Sequence, residues 1–411
     1  MTNAHTDLAP TWTASIPRHW CWMRNKELLF EAQILSTDGS EELLSVSHLT
    51  GVGPRSEKNV TMTEAESLEG YRVVEQGDLV INTMWAWMGA LGVARHAGIV
   101  SPAYGVYRPR PSAPFEPRFF DYLYRSTEYV MEMTRVSRGI WSSRLRIYPE
   151  VFLRMAVPVP PLKEQRAIAD YLDRETARID TLIEEQQHLI EMLRERREAT
   201  IRSALLSGLD AADKGPSGVE LLGAVPRRWR MIPTRYLCTI TTGSEDSGNA
   251  TEDGEYPFYV RGREVLRIGH YSFDGEAVMT PGDGQGGTGK VFHYFKGKFE
   301  AHQRVYVFKD FAGISGWYFY YFLSTFLRPV ALAGSNTVTM ESLRRPLLAS
   351  FKIAVPPLAE QRRITAYLDD QTAKIDTLIA EAERFIELAR ERRSALITAA
   401  VTGQIDLPGV A

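Results

Sequence analysis

Apolar residues from Ile168 onward recur at steps that alternate between three and four: Ile168, Leu172, Ile179, Leu182/Ile183, Leu189/Ile190 and Leu193. The same spacing returns at Ile364, Leu368, Ile375, Leu378/Ile379, Phe385/Ile386 and Leu388. This is the spacing of a coiled-coil seam, so it predicts two long helices with one apolar stripe each. Both start after a double proline, Pro160-Pro161 and Pro356-Pro357, and proline suits a first helical turn. Both end at a glycine, Gly208 and Gly403. At 1.5 Å per residue each helix is roughly 60–65 Å long. A lone stripe of that length would face water, so each helix needs a partner. The other copy supplies one, in antiparallel pairing; a homodimeric coiled coil is the alternative.

Before each helix the pattern changes to short apolar runs separated by glycine and proline. Leu43–Val46, Tyr71–Val74, Leu79–Ile81, Tyr104–Tyr107 and Met155–Val159 read as strands, with Gly77-Asp78 as a turn. Phe119–Met133 reads as one helix. Ile16-Pro17-Arg18-His19-Trp20-Cys21-Trp22 leads into a helix-like stretch that reaches residue 30. In the second half, Phe258–Val260, Ala277–Met279, Val305–Phe308 and Ile353–Val355 read as strands and Trp317–Leu332 as a helix. Val225-Pro226-Arg227-Arg228-Trp229 repeats the first lead-in at an offset of 209, whereas the helices repeat at 196. Whole halves are therefore duplicated, with the second globular part about 13 residues shorter. The expected organisation is α+β: strand-rich domains at 1–158 and 211–355, and helices at 159–210 and 356–411, with pseudo-twofold internal symmetry.

Composition narrows the function classes. The chain has 411 residues, 44% hydrophobic and 24% charged, as a soluble globular protein of more than one domain does. No run of 18 apolar residues suggests a membrane span, and Met1–Pro10 has no export-signal pattern. Two cysteines, Cys21 and Cys238, cannot build a disulfide framework, and a reducing cytoplasm fits. Net charge is −3, but it is segregated. Residues 1–80 carry 6 Lys/Arg against 12 Asp/Glu, and residues 81–158 carry 10 against 5. Residues 216–355 carry 16 against 13. Such zones can meet phosphate, although a partner would supply much of any grip on DNA. The first helix carries 8 Lys/Arg against 10 Asp/Glu over 162–207, so it reads as a solvated strut rather than a DNA clamp.

Two similar but unequal globular domains at a fixed separation suit a duplex with two half-sites, about 34–36 Å apart if both lie on one face. The motifs make this specific. Pro-Pro-Leu-x-Glu-Gln-Arg opens each helix, as Pro161, Leu162, Glu164, Gln165 and Arg166 and again as Pro357, Leu358, Glu360, Gln361 and Arg362. Ala-Arg-Ile-Asp-Thr-Leu-Ile (177–183) and Ala-Lys-Ile-Asp-Thr-Leu-Ile (373–379) follow. With residues 77–92, 98–104 and 397–406, these closely resemble type I restriction-modification specificity subunits along the whole chain. The resemblance implies two target recognition domains that read halves of a split double-stranded DNA site. It implies helices that act as ruler and docking surface for two modification subunits, joined by restriction subunits. S-adenosylmethionine, ATP and magnesium would belong to those partners, with no cofactor or metal in this chain. A coiled-coil scaffold without base readout is the competing function.

Catalysis by the chain itself lacks its motifs. The Pro-Pro pairs precede leucines, not the aromatic that an amino-methyltransferase uses after Asn/Asp-Pro-Pro. Gly284 to Lys290 has phosphate-loop spacing, but Val291 stands where Ser or Thr would hold magnesium, and strand pattern follows. That loop is a strand connection or a DNA-approaching loop through Gln285, Thr288 and Lys290. Asn82 and Trp85 follow a strand at the corresponding place, with the aromatics there leaning to core. Arg135, Arg138, Arg144 and Arg146 around Trp141, Ser142 and Ser143 suit phosphate and groove contact, or a solvated loop. Ser335, Asn336 and Thr337 lie at the matching point of the second half. Arg261, Arg263, Gln303 and Arg304 complete the candidate DNA contacts. His293 and His302 lack partners at metal-ligand spacing.

Overall fold

Leu79, Val80 and Ile81 lie fully buried at the centre of the first half of the chain. A strand alternates its side chains between faces, so an unbroken apolar run needs cover on both. Leu79 and Ile81 join one core cluster and Val80 joins another. The computed structural model describes residues 16–48, 50–57, 67–139, 145–210, 213–283, 289–333 and 342–405. It divides into unit 1, Met1–Gln186 with Arg384–Ala411, and unit 2, Gln187–Glu383.

Unit 1 runs β1 (Cys21–Arg24), α1 (Asn25–Leu28), β2 (Leu29–Glu31), β3 (Leu44–Ser47), β4 (Gly51–Pro54), β5 (Arg72–Val74), β6 (Leu79–Asn82), β7 (Leu91–Val93), β8 (Gly98–Val100) and β9 (Tyr104–Pro109). α2 (Pro117–Tyr124), α3 (Thr127–Val136), α4 (Pro149–Phe152) and β10 (Ala156–Val159) follow, and then the long helix α5 (Leu162–Ser207), whose first part belongs to this unit. An antiparallel sheet has the order β2-β9-β6-β7. β1 pairs antiparallel with β10, Cys21 opposite Val159, which ties the start of the unit to the strand that leads into α5. Two expectations change. The stretch after Trp20 is two short strands around a single helical turn, because pairing with β10 and β9 overrides a weak helical pattern. The single helix at 119–133 is two helices, interrupted where Ser126 leaves helical geometry and its side chain caps Tyr129 N–H.

Unit 2 runs from the end of α5 through β11 (Lys214–Pro216), β12 (Ala224–Pro226), β13 (Arg230–Pro233), β14 (Thr239–Thr242), β15 (Tyr256–Tyr259), β16 (Val265–Ile268), β17 (Phe273–Pro281), β18 (His293–Ala301) and β19 (Val305–Lys309). α6 (Gly316–Ala333), α7 (Arg345–Ser350), β20 (Lys352–Val355) and the first part of α8 (Leu358–Val401) complete it. Its six-stranded sheet has the order β14-β19-β17-β18-β15-β16, antiparallel except for β15 with β18. Alternation again divides the core: Val278 and Phe308 face one cluster, while Ala277, Met279, Val305 and Val307 face the other. β13 pairs with β20 as β1 pairs with β10.

Each unit holds an antiparallel helix pair. In unit 1, Ile168, Ala169 and Leu172 share a core with Ile397, Ala400 and Val401, and Arg393 pairs with Asp180 at 2.9 Å. In unit 2, Ile201, Ala204 and Leu205 share a core with Ile364 and Leu368, and Arg197 pairs with Asp376 at 2.8 Å. These ion pairs are the same pair under the 196-residue repeat, because Arg197 and Arg393, like Asp180 and Asp376, are matched positions.

Candidate nucleic-acid interface

The repeated helix motif is an internal fastening. Gln165 is fully buried; its Nε2 donates to Pro114 O and Pro160 O, each at 2.9 Å, and its Oε1 accepts from Glu116 N–H at 2.9 Å. Gln361 is equally buried and repeats the set with Gly313 O, Pro356 O and Ser315 N–H. Glu164 accepts from the Trp20 indole at 2.9 Å and faces His19, and Glu360 accepts from Trp229 and Arg228. Tyr122 donates to Asp173 and Tyr321 to Asp369, one residue of the repeat each. Pro161, Leu162, Pro357 and Leu358 flank these anchors, while Arg166 and Arg362 stand at the surface. Residues Trp20, Tyr122 and Asp173 carry no signal as a set, because only the folded unit brings them together.

The candidate reading loops are assembled by one device in both units. In unit 1 the chain leaves β6 and turns through residues 83–90. Trp85 N–H donates to Asn82 O at 3.0 Å, and Gly89, at φ +84°, closes the turn onto Ala86 O. Ile147 N–H donates to Thr83 O at 3.2 Å, and Thr134 Oγ1 donates to Trp87 O at 3.1 Å. The turn therefore lies beside the arginine segment. Arg138 and Arg146 pair there through both backbone hydrogen bonds, with both residues exposed. In unit 2, Leu343 N–H donates to Gly282 O at 2.7 Å, so the segment before α7 meets the chain leaving β17 in the same way. Leu343 and Ile147 are one repeat apart.

The surfaces differ. In unit 1, Trp85 is 51% exposed, stacked on Trp87 at 6.3 Å and 15°, with Met84 and Met88 also exposed. The Trp87 indole donates to Met84 O, which fixes the turn's shape. Asn82 stands at the end of β6, where this turn begins. It is buried, and its Oδ1 accepts from Met84 N–H, so its polarity serves the turn. Arg135 is exposed but held by Glu132 at 2.8 and 2.6 Å. Trp141, Ser142, Ser143 and Arg144 lie outside the described residues, as do Gln285, Thr288, Ser335, Asn336 and Thr337.

Unit 2 is polar at the same place. Arg304 donates to Asp283 Oδ2 at 3.0 Å, and Arg261 stands 3.8 Å from Asp283 Oδ1. Gln303 donates to Asp246 at 3.4 Å. His302 is buried, and its Nδ1 accepts from Arg304 N–H at 2.9 Å. Burial holds the His302 imidazole below its ordinary value; Arg261 pushes the same way and Asp246 opposes. The Gly248 backbone N–H holds the Asp246 carboxyl below the usual range, helped by its neighbours. Arg263 and Lys290 are exposed, and Lys290 sits in a turn before a strand, with no helix end to meet a phosphate. Asp283, Asp246, Glu245 and His270 join this network without having been singled out by the sequence. Their partners within this network, Arg304, Gln303 and the Glu245–His270 pair, are brought together across 20 or more residues, where no local pattern reaches.

An internally duplicated α+β chain, with one exposed loop surface and one antiparallel helix pair per unit, defines the class. Residues 226–386 match the family described as Type I restriction modification DNA specificity domain. The type I restriction enzyme EcoDI specificity subunit of Escherichia coli is 28% identical over 183 residues, 44% of this chain and 40% of that one. The chain thus spans well under half the length of that curated relative. A chain solved in a study of complex assembly and conformational transition of the type I R-M system superposes with TM-score 0.72 at 17% identity, over 96% of this chain and all of that one. The HsdS subunit of Thermoanaerobacter tengcongensis gives TM-score 0.56 at 17% identity, over 95% and 98%. The two structures share the fold. The chain is thus similar to the type I restriction-modification specificity subunits, by the family match over residues 226–386 and by its fold.

Proposed function

We propose that the chain is the non-catalytic DNA-reading subunit of a type I restriction-modification complex, and that each unit reads one half of a bipartite duplex site. One observation carries this reading. Both units build an exposed loop surface by the same backbone contact, Ile147 N–H to Thr83 O and Leu343 N–H to Gly282 O, yet furnish it with different side chains. Matched position with unmatched chemistry is what two different half-sites require. Trp85, Arg138 and Arg146 serve the first half, and Arg261, Gln303, Arg304 and Lys290 serve the second.

The helices α5 and α8 set the spacer between half-sites and dock two modification subunits. Exposed apolar side chains support the docking role. Unit 1 exposes Leu182, Phe385 and Leu388 on its helix pair, and unit 2 exposes Leu378, Leu189 and Met192, the same three positions under the repeat. Water-facing apolar groups matched in this way suit two copies of one partner. S-adenosylmethionine, ATP and magnesium chemistry is assigned to modification and restriction subunits. Selection of a randomised duplex pool, with and without modification subunits, tests the reading. It predicts a split motif with fixed spacing; recovery of no split motif in either arm would refute it.

A further inference from the structure

We propose that Arg304, held by Asp283, reads a guanine in the half-site of unit 2. This rests on the reading that the chain recognises DNA, and it names a base and the residue that selects it.

Arg304 is exposed, yet its backbone is held at two points and its guanidinium at one. Its backbone N–H donates to His302 Nδ1, its carbonyl accepts from Gly282 N–H at 2.7 Å, and its Nη1 donates to Asp283 Oδ2. Asp283 is held in turn by an antiparallel bridge to Ser342. With Nη1 occupied, the Nε–Nη2 edge of the guanidinium remains, with no partner among the described residues. That edge presents two parallel N–H donors. Guanine is the base whose major-groove edge presents two acceptors, O6 and N7, to such a pair. A side chain already held in place loses less freedom on binding, which is how a buttressing carboxylate improves discrimination.

Phosphate is the competing target for an exposed arginine, and local charge argues against it. Arg261 and Arg304 sit among Asp283, Asp246 and Glu245, three carboxylates to two guanidiniums. The carboxylates offset these two guanidiniums, and Asp283 would repel a phosphate. What the cluster offers is hydrogen-bond geometry. In unit 1 the corresponding surface carries Trp85 and two methionines beside Arg138 and Arg146.

The test uses the full chain with modification subunits and a randomised duplex pool, comparing wild type with Arg304→Gln and Asp283→Asn. The half-site that survives replacement of residues 1–158 is that of unit 2. It should contain a guanine favoured by roughly 5- to 150-fold, the range of one good bidentate contact. Arg304→Gln should erase that preference at that single position, and Asp283→Asn should weaken it there. With wild type, 7-deazaguanine at that position should lose part of the preference, because N7 is one of the two acceptors and O6 remains, and with Arg304→Gln it should cost nothing further. This arm reads N7 recognition in the unmodified protein, whatever the variants do to folding. A split motif in which Arg304→Gln lowers affinity uniformly, with a shallower salt dependence, would make Arg304 a phosphate contact and overturn the proposal. An unchanged motif would overturn it equally. Recovery of no split motif from wild type would instead remove the DNA-reading function itself, and this inference with it.

Discussion

Gln165 shows how much one side chain holds together. Its amide joins the loop before α2, the double proline and the first turn of α5, and no water-facing atom competes. Gln165→Ala leaves Glu116 N–H and two carbonyls without partners in a buried place. Urea unfolding should show a loss of about 2–4 kcal/mol; a loss near zero would mean that the fastening is ornamental. His302 supplies a pH dependence. Its folded value lies below its unfolded one, so its stabilising contribution is present above about pH 6.5 and is lost as pH falls through the folded value. Protonation places a hydrogen on Nδ1, which can then no longer accept from Arg304 N–H. Asp246, Arg261, Arg304 and Asp283 face the ring, and the carboxylates only partly offset that loss. Binding titrations between pH 7.5 and about 5 should show unit 2's half-site weakening at the acid end. A flat profile would contradict this.

Among elements, the turn after β6 is where stability and function separate. Trp85 stacks on Trp87 but is half exposed. Trp85→Ala should cost less than about 1 kcal/mol in a thermal melt. It should lower DNA affinity roughly 10-fold with an unchanged salt slope, because an apolar contact releases no counterions. Unchanged affinity would assign the turn to packing. Legibility in the sequence also divides by element. α5 and α8 are readable because their stripe repeats locally and twice, and β6, β9, β17 and β19 because buried strands read as apolar runs. The region from Cys21 to Glu31 misleads, since its strands exist only through partners more than 70 residues away. The break at Ser126 is a capping event inside an otherwise helical pattern. The candidate sites divide the same way. Arg304 and Trp85 stand out by residue type, whereas Asn82's burial and Asp283's role depend on contacts that only the fold creates.

At the scale of the whole molecule, the account assigns reading to the two units and spacing to α5 and α8. Four residues inserted within 183–193 would lengthen α5 by about 6 Å. Pool selection should then return both half-sites unchanged with a different spacer; an identical spacer would free the helices of any ruler role. The duplication itself makes the most direct test available. Replace residues 1–158 with the recognition domain of another specificity subunit, assemble with modification subunits, and select from a randomised duplex pool. The account predicts that one half-site changes while the other half-site and the spacer stay as in wild type; a change in both halves, or in neither, would contradict it.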